Sequence, residues 1–205
     1  MNTLKGLLII IFVLSASKAF AGYDKLTKRN YEESKNEKAV ILYGVNWGRR
    51  WGCAGLDNAQ LQNLTFSHID SNLDREDIAL NNPAKLFSEN SSESFAIIVN
   101  PGEYALIAYD IKIARTSAGA SHIKGEGEGT FKVNAGEIVY IGDFGLDCAG
   151  DNPIPWRYYI KKEDFESYVA GFKEKYKFIS DKQIIYRLFQ TDKFGQSAKG
   201  SDLEM

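Results

Sequence analysis

The sequence predicts a mainly β protein, an antiparallel β-sandwich with one amphipathic helix near its C-terminus. Runs of aliphatic, β-branched and aromatic residues recur at short intervals, and turn-forming residues separate them. A helical spacing of apolar residues occurs once, over 162–178. Strand and helix patterns do not alternate along the chain, which argues against a parallel sheet.

The length and composition fit one globular domain. The chain has 205 residues, of which 44% are hydrophobic and 13% aromatic, enough for a substantial core. Its formal net charge of −2 provides no strong attraction to nucleic acid or to an anionic membrane surface. We expect a single domain over 38–190, with no nucleic-acid partner and at most a peripheral association with a cell envelope.

The first 21 residues have the organisation of a secretory signal peptide. Lys5 supplies a positive charge, 7–16 form an apolar run, and Ala19 and Ala21 are the small residues that a signal peptidase reads. The apolar run is shorter than the roughly 20 residues needed to span a bilayer, which disfavours an uncleaved anchor. No cysteine follows the run, which disfavours a lipid-modified N-terminus. We therefore predict a cleaved signal peptide over 1–21 and an exported protein, periplasmic or secreted.

A polar leader precedes the predicted strands. Residues 22–37 have almost no apolar pattern and predict a flexible leader. Apolar runs over 38–45 and 61–69 predict the first two strands. A Pro-Gly pair at 101–102 lies between two further apolar runs. Because proline and glycine suit the central positions of a type II turn, a β-hairpin is predicted here.

The C-terminal half adds strands and the helix. Three more strands are predicted, over 130–133, 137–144 and 156–160. The helix over 162–178 places five apolar side chains on one face, those of Phe165, Tyr168, Val169, Phe172 and Tyr176. Its polar face mixes both charge signs, so we expect it to pack on a sheet rather than on a membrane. A last strand or short helix is expected over 183–190, followed by a frayed tail over 191–205.

The two cysteines predict one disulfide. Cys53 and Cys148 both occur within Cys-Ala-Gly, and an even count in an exported chain indicates a bridge. Only one intramolecular pairing is possible with two cysteines. The alternative is a pair of buried free thiols.

Three segments resemble a group of small bacterial domains. They are the strand at 38–44, the Pro-Gly turn within 99–104, and the run 131–143, in which an Ala-Gly turn precedes a Tyr-Ile-Gly-Asp strand end. Over roughly 38–178 the chain resembles secreted or lipoprotein-like β-sandwich domains of unknown function, of the PEGA and carboxypeptidase-regulatory type. The resemblance implies an envelope-located domain with no established catalytic residues.

Residues typical of catalysis and metal binding are scarce. His68 and His122 are the two histidines, and neither stands in a nucleophile-elbow motif. A zinc site built from them and the two cysteines would lack the paired short spacings of such sites. Asp143, Asp147 and Asp151 do not follow the ligand spacing of a calcium loop. We therefore expect no catalytic residue, no metal and no cofactor.

The loop after the first strand holds the candidate binding residues. Trp47, Arg49, Arg50 and Trp51 combine two indoles with two guanidinium groups, which can stack on sugar rings or bind an anionic polymer. The alternative is that the indoles pack over the disulfide while both arginines are solvated.

Two functional hypotheses follow from the sequence. The first is a non-catalytic exported envelope or secreted domain that binds a protein or a cell-wall partner, and it rests on the signal peptide, the scarcity of catalytic residue types and the resemblance. The second is a secreted hydrolase that uses acidic residues which no motif identifies.

Overall fold

A computed structural model describes residues 23–69, 77–83, 92–115, 119–148, 153–191 and 196–198. The predicted signal peptide, 1–21, lies outside these residues, as do Asp151 and most of the predicted tail.

The described residues form two facing β-sheets, which confirms the predicted mainly β sandwich. The strands of sheet A are β1 (Tyr23–Lys25), β2 (Ala39–Asn46), β6 (Ser92–Val99), β10 (Ile138–Asp147), β11 (Ile154–Tyr159), β12 (Ile185–Tyr186) and β13 (Gln196–Ala198). The strands of sheet B are β3 (Arg50–Trp51), β4 (Asn58–His68), β5 (Asp77–Asn81), β7 (Gly102–Arg115), β8 (Gly119–Gly125) and β9 (Thr130–Val133). Sheet A has the order β1-β6-β2-β10-β11-β13, with β12 beside β10. Sheet B has the order β3-β4-β7-β8, with β5 beside β4 and β9 beside β7.

Two helices cover the outer face of sheet A and make a third layer. They are α1 (Lys28–Ser34) and α2 (Phe165–Lys175), and a 3₁₀ turn over Lys162–Asp164 precedes α2. Phe165, Val169 and Phe172 of α2 are buried against the sheet, as the helical spacing predicted. The predicted C-terminal amphipathic helix is therefore confirmed.

Sheet A is buried on both faces, which explains the continuous apolar character of its central strands. Along β2, Ile41 and Val45 face sheet B, whereas Val40 and Leu42 face the helices. Successive side chains of a strand point to opposite faces, so a strand between two layers needs apolar residues at every position. Each such aliphatic side chain stabilises the fold by about 1.5–3 kcal/mol through its burial.

A β-bulge in β10 reverses which side chains face the helices. Tyr140 pairs with Leu42 and Asp143 pairs with Gly44, so β10 has one residue more than β2 between these two pairs. Gly142, with φ of +108°, lies in the bulge. Before the bulge the even-numbered Tyr140 faces the helices, and after it the odd-numbered Asp143 does.

The Pro-Gly turn joins the two sheets rather than two strands of a hairpin, so the hairpin prediction was wrong. β6 pairs with β1 and β2 in sheet A, whereas β7 pairs with β4, β8 and β9 in sheet B. Tyr104 donates a hydrogen bond from its hydroxyl to the carbonyl of Asn100, 2.8 Å across the turn. The crossover follows from burial, because β6 is apolar on both faces and so belongs to the doubly covered sheet.

Parallel pairing also occurs within sheet A, although the strand pattern argued against it. β2 and β10 pair in parallel at the centre of the sheet, and β10–β12 and β11–β13 are parallel as well. The other pairings are antiparallel, so the sheets are antiparallel in the main. The parallel centre escapes the sequence pattern because the connection between β2 and β10 contains all of sheet B instead of one helix.

The segment predicted to be a flexible leader contains regular structure. β1 pairs with β6 at the edge of sheet A, and α1 follows with Thr27 as its N-cap, whose hydroxyl oxygen accepts from the backbone N–H of Asn30 at 3.1 Å. Leu26 and Tyr31 are buried in the helix-side core. Two buried side chains suffice to anchor this segment, and they are too few to produce a visible apolar period. In the predicted tail, 196–198 form β13.

The predicted disulfide between Cys53 and Cys148 is confirmed. Cys53 is fully buried in a 3₁₀ turn between β3 and β4, and Cys148 directly follows β10. Their Cα atoms are 4.7 Å apart and the bridge closes a separation of 95 residues. The disulfide therefore joins sheet B to sheet A at one end of the sandwich.

No helix within the described ranges has both the length and the apolar content needed to cross a membrane.

The bulge makes a prediction for Gly44→Ala. A Cβ at this position would lie 2.6 Å from Oδ1 of Asp143, so we expect a loss of about 1–3 kcal/mol in the free energy of unfolding, measured by urea denaturation. Gly171→Ala in α2 is the matched control, because no atom lies within 4 Å of its Cβ position. The control should gain up to about 1 kcal/mol. A Gly44→Ala protein as stable as the parent would contradict this account of the bulge.

An ion pair at the start of β10 makes a prediction for the pH dependence of stability. Two hydrogen bonds from Arg187 to Glu137, at 2.6 and 3.1 Å, and others from Asn134 lower the pKa of Glu137 to about 2, from 4.5. This contribution is present above pH 4.5 and is lost as pH falls towards 2. Arg187→Gln should cost about 1 kcal/mol at pH 6, a value reduced by partial exposure, and progressively less below pH 4.5. Arg29→Gln, which removes an exposed pair with Glu33, should leave stability unchanged at every pH. An effect of Arg187→Gln that does not depend on pH would argue against the ion pair as its cause.

Candidate functional site

The four predicted binding residues do not lie on one surface. Trp47 is 3% exposed and belongs to the core between the sheets, whereas Trp51 is 64% exposed. The buried amide of Gln60 donates from Nε2 to the carbonyl of Trp47 at 2.6 Å. This hydrogen bond fixes the backbone where the chain leaves β2. Trp47 is therefore not part of the exposed loop surface that the sequence suggested.

The remaining three residues, here called the Trp51 surface, combine an exposed indole with two partly buried arginines. The guanidinium carbon of Arg49 lies 4.2 Å from the ring centroid of Trp51, a cation–π geometry. Arg50 pairs with Ala59 in the short edge strand β3 and is partly buried. The indole thus carries a guanidinium against it while most of its area remains in solvent.

The disulfide and the edge pairing position the Trp51 surface. Arg50 and Trp51 pair antiparallel with Ala59 and Asn58, and the buried Cys53 follows two residues later. Gly52 between them adopts a left-handed φ of +62°, which glycine accepts at little cost. A backbone fixed on both sides reduces the ordering entropy that a binding surface loses when a partner docks.

Trp47 lines a cavity of about 580 Å³ at the edge of sheet A, here called the aromatic cavity. Its aromatic lining residues are Tyr23, Tyr43, Trp47, Phe95 and Tyr176. The rings of Tyr43 and Phe95 stack with centroids 5.3 Å apart. Burial raises the pKa of Tyr43, so its phenol remains protonated. The volume lies within the range of small-molecule sites, which runs from roughly 300 to 1,000 Å³.

A buried carboxylate lies between sheet A and α2. Asp143 is 5% exposed, and Tyr168 donates to its two carboxylate oxygens at 2.9 and 3.1 Å. Burial, followed by the charge of Asp143, raises the pKa of Tyr168, which stays a proton donor. Gly44 opposite leaves the space that the carboxylate occupies. The contact fixes α2 on the sheet, and its burial leaves no access for a substrate.

The two histidines make separate contacts. His68 Nε2 lies 3.0 Å from the carbonyl oxygen of Pro101, and its ring meets that of Tyr104 edge-on at 4.9 Å. His122 lies on β8, and its Nδ1 is 2.8 Å from Oδ1 of Asp110 on β7. Within the ranges that the structure describes, no three histidine, cysteine or acidic side chains come together as a metal site.

A second, shallower depression of about 510 Å³ contains two acids. Glu126 and Glu128 lie along it in the connection between β8 and β9. Both side chains are exposed.

No family model, no curated protein and no solved structure matches this chain. The resemblance to PEGA and carboxypeptidase-regulatory domains therefore stays a prediction.

The disulfide behind the Trp51 surface makes a prediction for stability. Replacing both cysteines with alanine should lower the free energy of unfolding by about 4–5 kcal/mol, because the bridge closes a loop of 95 residues. Cys148→Ala alone should cost nearly as much, since either change removes the bridge. Produced in an oxidising compartment, the parent should be lighter than its dithiol form by two hydrogen atoms and inert to iodoacetamide under non-reducing conditions. Free thiols in this protein would contradict the bridge.

Proposed function

We propose that this chain is an exported, non-catalytic domain that binds a cell-wall polymer through the Trp51 surface. Its export is assigned to the signal peptide over 1–21, which delivers it to the periplasm or the medium. The Cys53–Cys148 bridge is compatible with such an oxidising compartment. The resemblance to non-catalytic envelope domains supports the same class.

The observation that carries the proposal is the exposed indole of Trp51 with the guanidinium of Arg49 against it. The side chain of Trp51 is 64% exposed, so most of its apolar ring area is in contact with water. A partner that covers the ring removes this apolar area from water, which favours binding. Tryptophan and arginine are also the side chains that most often dominate binding energy. The short strand β3 and the buried Cys53 hold Trp51 in place before a partner arrives.

The chemistry of the Trp51 surface favours an anionic glycan over an uncharged partner. An indole stacks on the apolar face of a sugar ring, and a guanidinium pairs with a carboxylate or phosphate in two parallel hydrogen bonds. Arg49 places one such group against the ring, and Arg50 precedes Trp51 in β3. A wall polymer that repeats sugars and acidic groups presents both features at a regular spacing. A protein is the alternative partner.

Co-sedimentation with isolated peptidoglycan tests this proposal. The parent protein should pellet with the polymer, and Trp51→Ala should raise the apparent Kd about tenfold because the stacking contact is lost. Arg50→Ala should weaken binding mainly at low salt, since exposed charges are screened within about 10 Å at 0.1 M.

Arg29→Ala is the matched control, because it removes an exposed arginine on α1, away from β3. It should bind like the parent. Failure of the parent to pellet, or equal binding by Trp51→Ala, would overturn the wall-polymer proposal. A photo-crosslinker at position 51 that joins a protein instead of a glycan would assign the surface to the alternative partner.

A further inference from the structure

The aromatic cavity exists because β1 covers only part of the edge of β6. β1 pairs with 97–99 of β6, and Leu26 then donates its backbone N–H to the carbonyl of Ala96 as the chain turns towards α1. In the described part of the chain no strand pairs with the outer edge of β6 over 92–95. The sheet is therefore open over half of this strand, and the cavity occupies the opening.

Rings from both layers form the walls of the cavity. The stacked pair of Tyr43 and Phe95 belongs to the core between the sheets, whereas Tyr176 follows α2 on the helix side. Ring faces on two sides of an opening favour a flat apolar body, which stacks on them with little loss of conformational entropy. The cavity volume of about 580 Å³ admits a ligand of a few fused or linked rings.

The charged side chains of the lining determine which ligand charge the cavity favours. Lys25 and Lys175 line the cavity and are exposed, so they lie at its opening, against one acid, Glu93. Lys175 is held in place because its Nζ donates to the carbonyl of Ser94 at 3.2 Å and lies 5.3 Å from the ring of Tyr176. Two ammonium groups beside one carboxylate leave the opening positive. An anionic oxygen is therefore favoured over a neutral one.

We propose that the aromatic cavity is a second binding site, separate from the Trp51 surface, which takes a small aromatic carboxylate. The rings of Tyr43, Phe95 and Tyr176 hold its flat apolar part. Lys25 and Lys175 attract its carboxylate. Because the site is closed by strand and helix contacts rather than by the loop of β3, it acts independently of wall binding.

The test uses two probes of nearly equal shape, 1-naphthaleneacetate and its uncharged amide, 1-naphthaleneacetamide. Isothermal titration of the full protein without its signal peptide should show one site per chain for the carboxylate and about tenfold weaker binding of the amide. Lys25→Gln combined with Lys175→Gln should weaken the carboxylate about tenfold and leave the amide unchanged.

Two controls separate this site from general effects and from the proposed function. Lys132→Gln combined with Lys161→Gln removes two exposed lysines that do not line the cavity, and Trp51→Ala removes the exposed indole. Both variants should bind 1-naphthaleneacetate like the parent, whether or not the parent pellets with peptidoglycan. Thermal unfolding of every variant without probe checks that it is folded.

Three results would overturn the proposal. They are no binding of either probe to the folded parent, equal affinity for the amide and the carboxylate, and binding by the folded lysine variant at parental strength. Crystals or chemical-shift changes that place the probe away from Tyr43 and Phe95 would also assign the binding to another surface.

Discussion

The parallel pairing of β2 with β10 is the contact on which the rest of the fold depends. Ile41 and Val139 lie side by side at the centre of sheet A and face sheet B, while Leu42 and Tyr140 face the helices. The other two layers, sheet B and the helices, therefore both pack against this one pair of strands. The ion pair of Glu137 lies directly before β10, and the disulfide lies directly after it.

The bulge in β10 shows how one inserted residue adapts a buried strand to two different neighbours. Without it, Asp143 would point into the apolar core between the sheets, where an ionised group is costly. The shift turns this carboxylate to the helix side, where the hydroxyl of Tyr168 meets both of its oxygens. Gly44 and Gly142 make the arrangement possible through missing side chains, so the Tyr-Ile-Gly-Asp segment has a role in packing.

Local patterns in the sequence predicted most elements but few of their partners. The strand at 38–45 and the helix at 162–178 are visible because their apolar periods are set by burial. The Pro-Gly turn before Tyr104 was misassigned because the same dipeptide can close a hairpin or cross between sheets, and only the burial of both faces of β6 decides. The disulfide was predictable because two cysteines allow one intramolecular pairing. The structure of the leader was missed because its anchors are the pairing of β1 with β6 and the two buried side chains of Leu26 and Tyr31, which are too few to form an apolar period.

The sequence also predicted one part of the candidate site and missed another. The sequence identified Trp51 and its arginines by composition, yet it could not separate them from Trp47, since four residues along a loop suffice to bring a side chain from the core to the surface. The aromatic cavity had no signal in the sequence, because its rings come from strands and a helix that are far apart along the chain. Its existence depends on the short length of β1, which no residue pattern reveals.

The separation between β2 and β10 also governs how the molecule can form. β2 ends at Asn46 and β10 begins at Ile138, so the central strands meet only after the whole of sheet B has been synthesised. To bring such distant segments together, the chain must lose conformational entropy before any packing contact stabilises it. Folding to the native topology is therefore slow. A growing chain thus carries β2, an apolar strand whose edge facing β10 is uncovered, until the last third of the polypeptide is available.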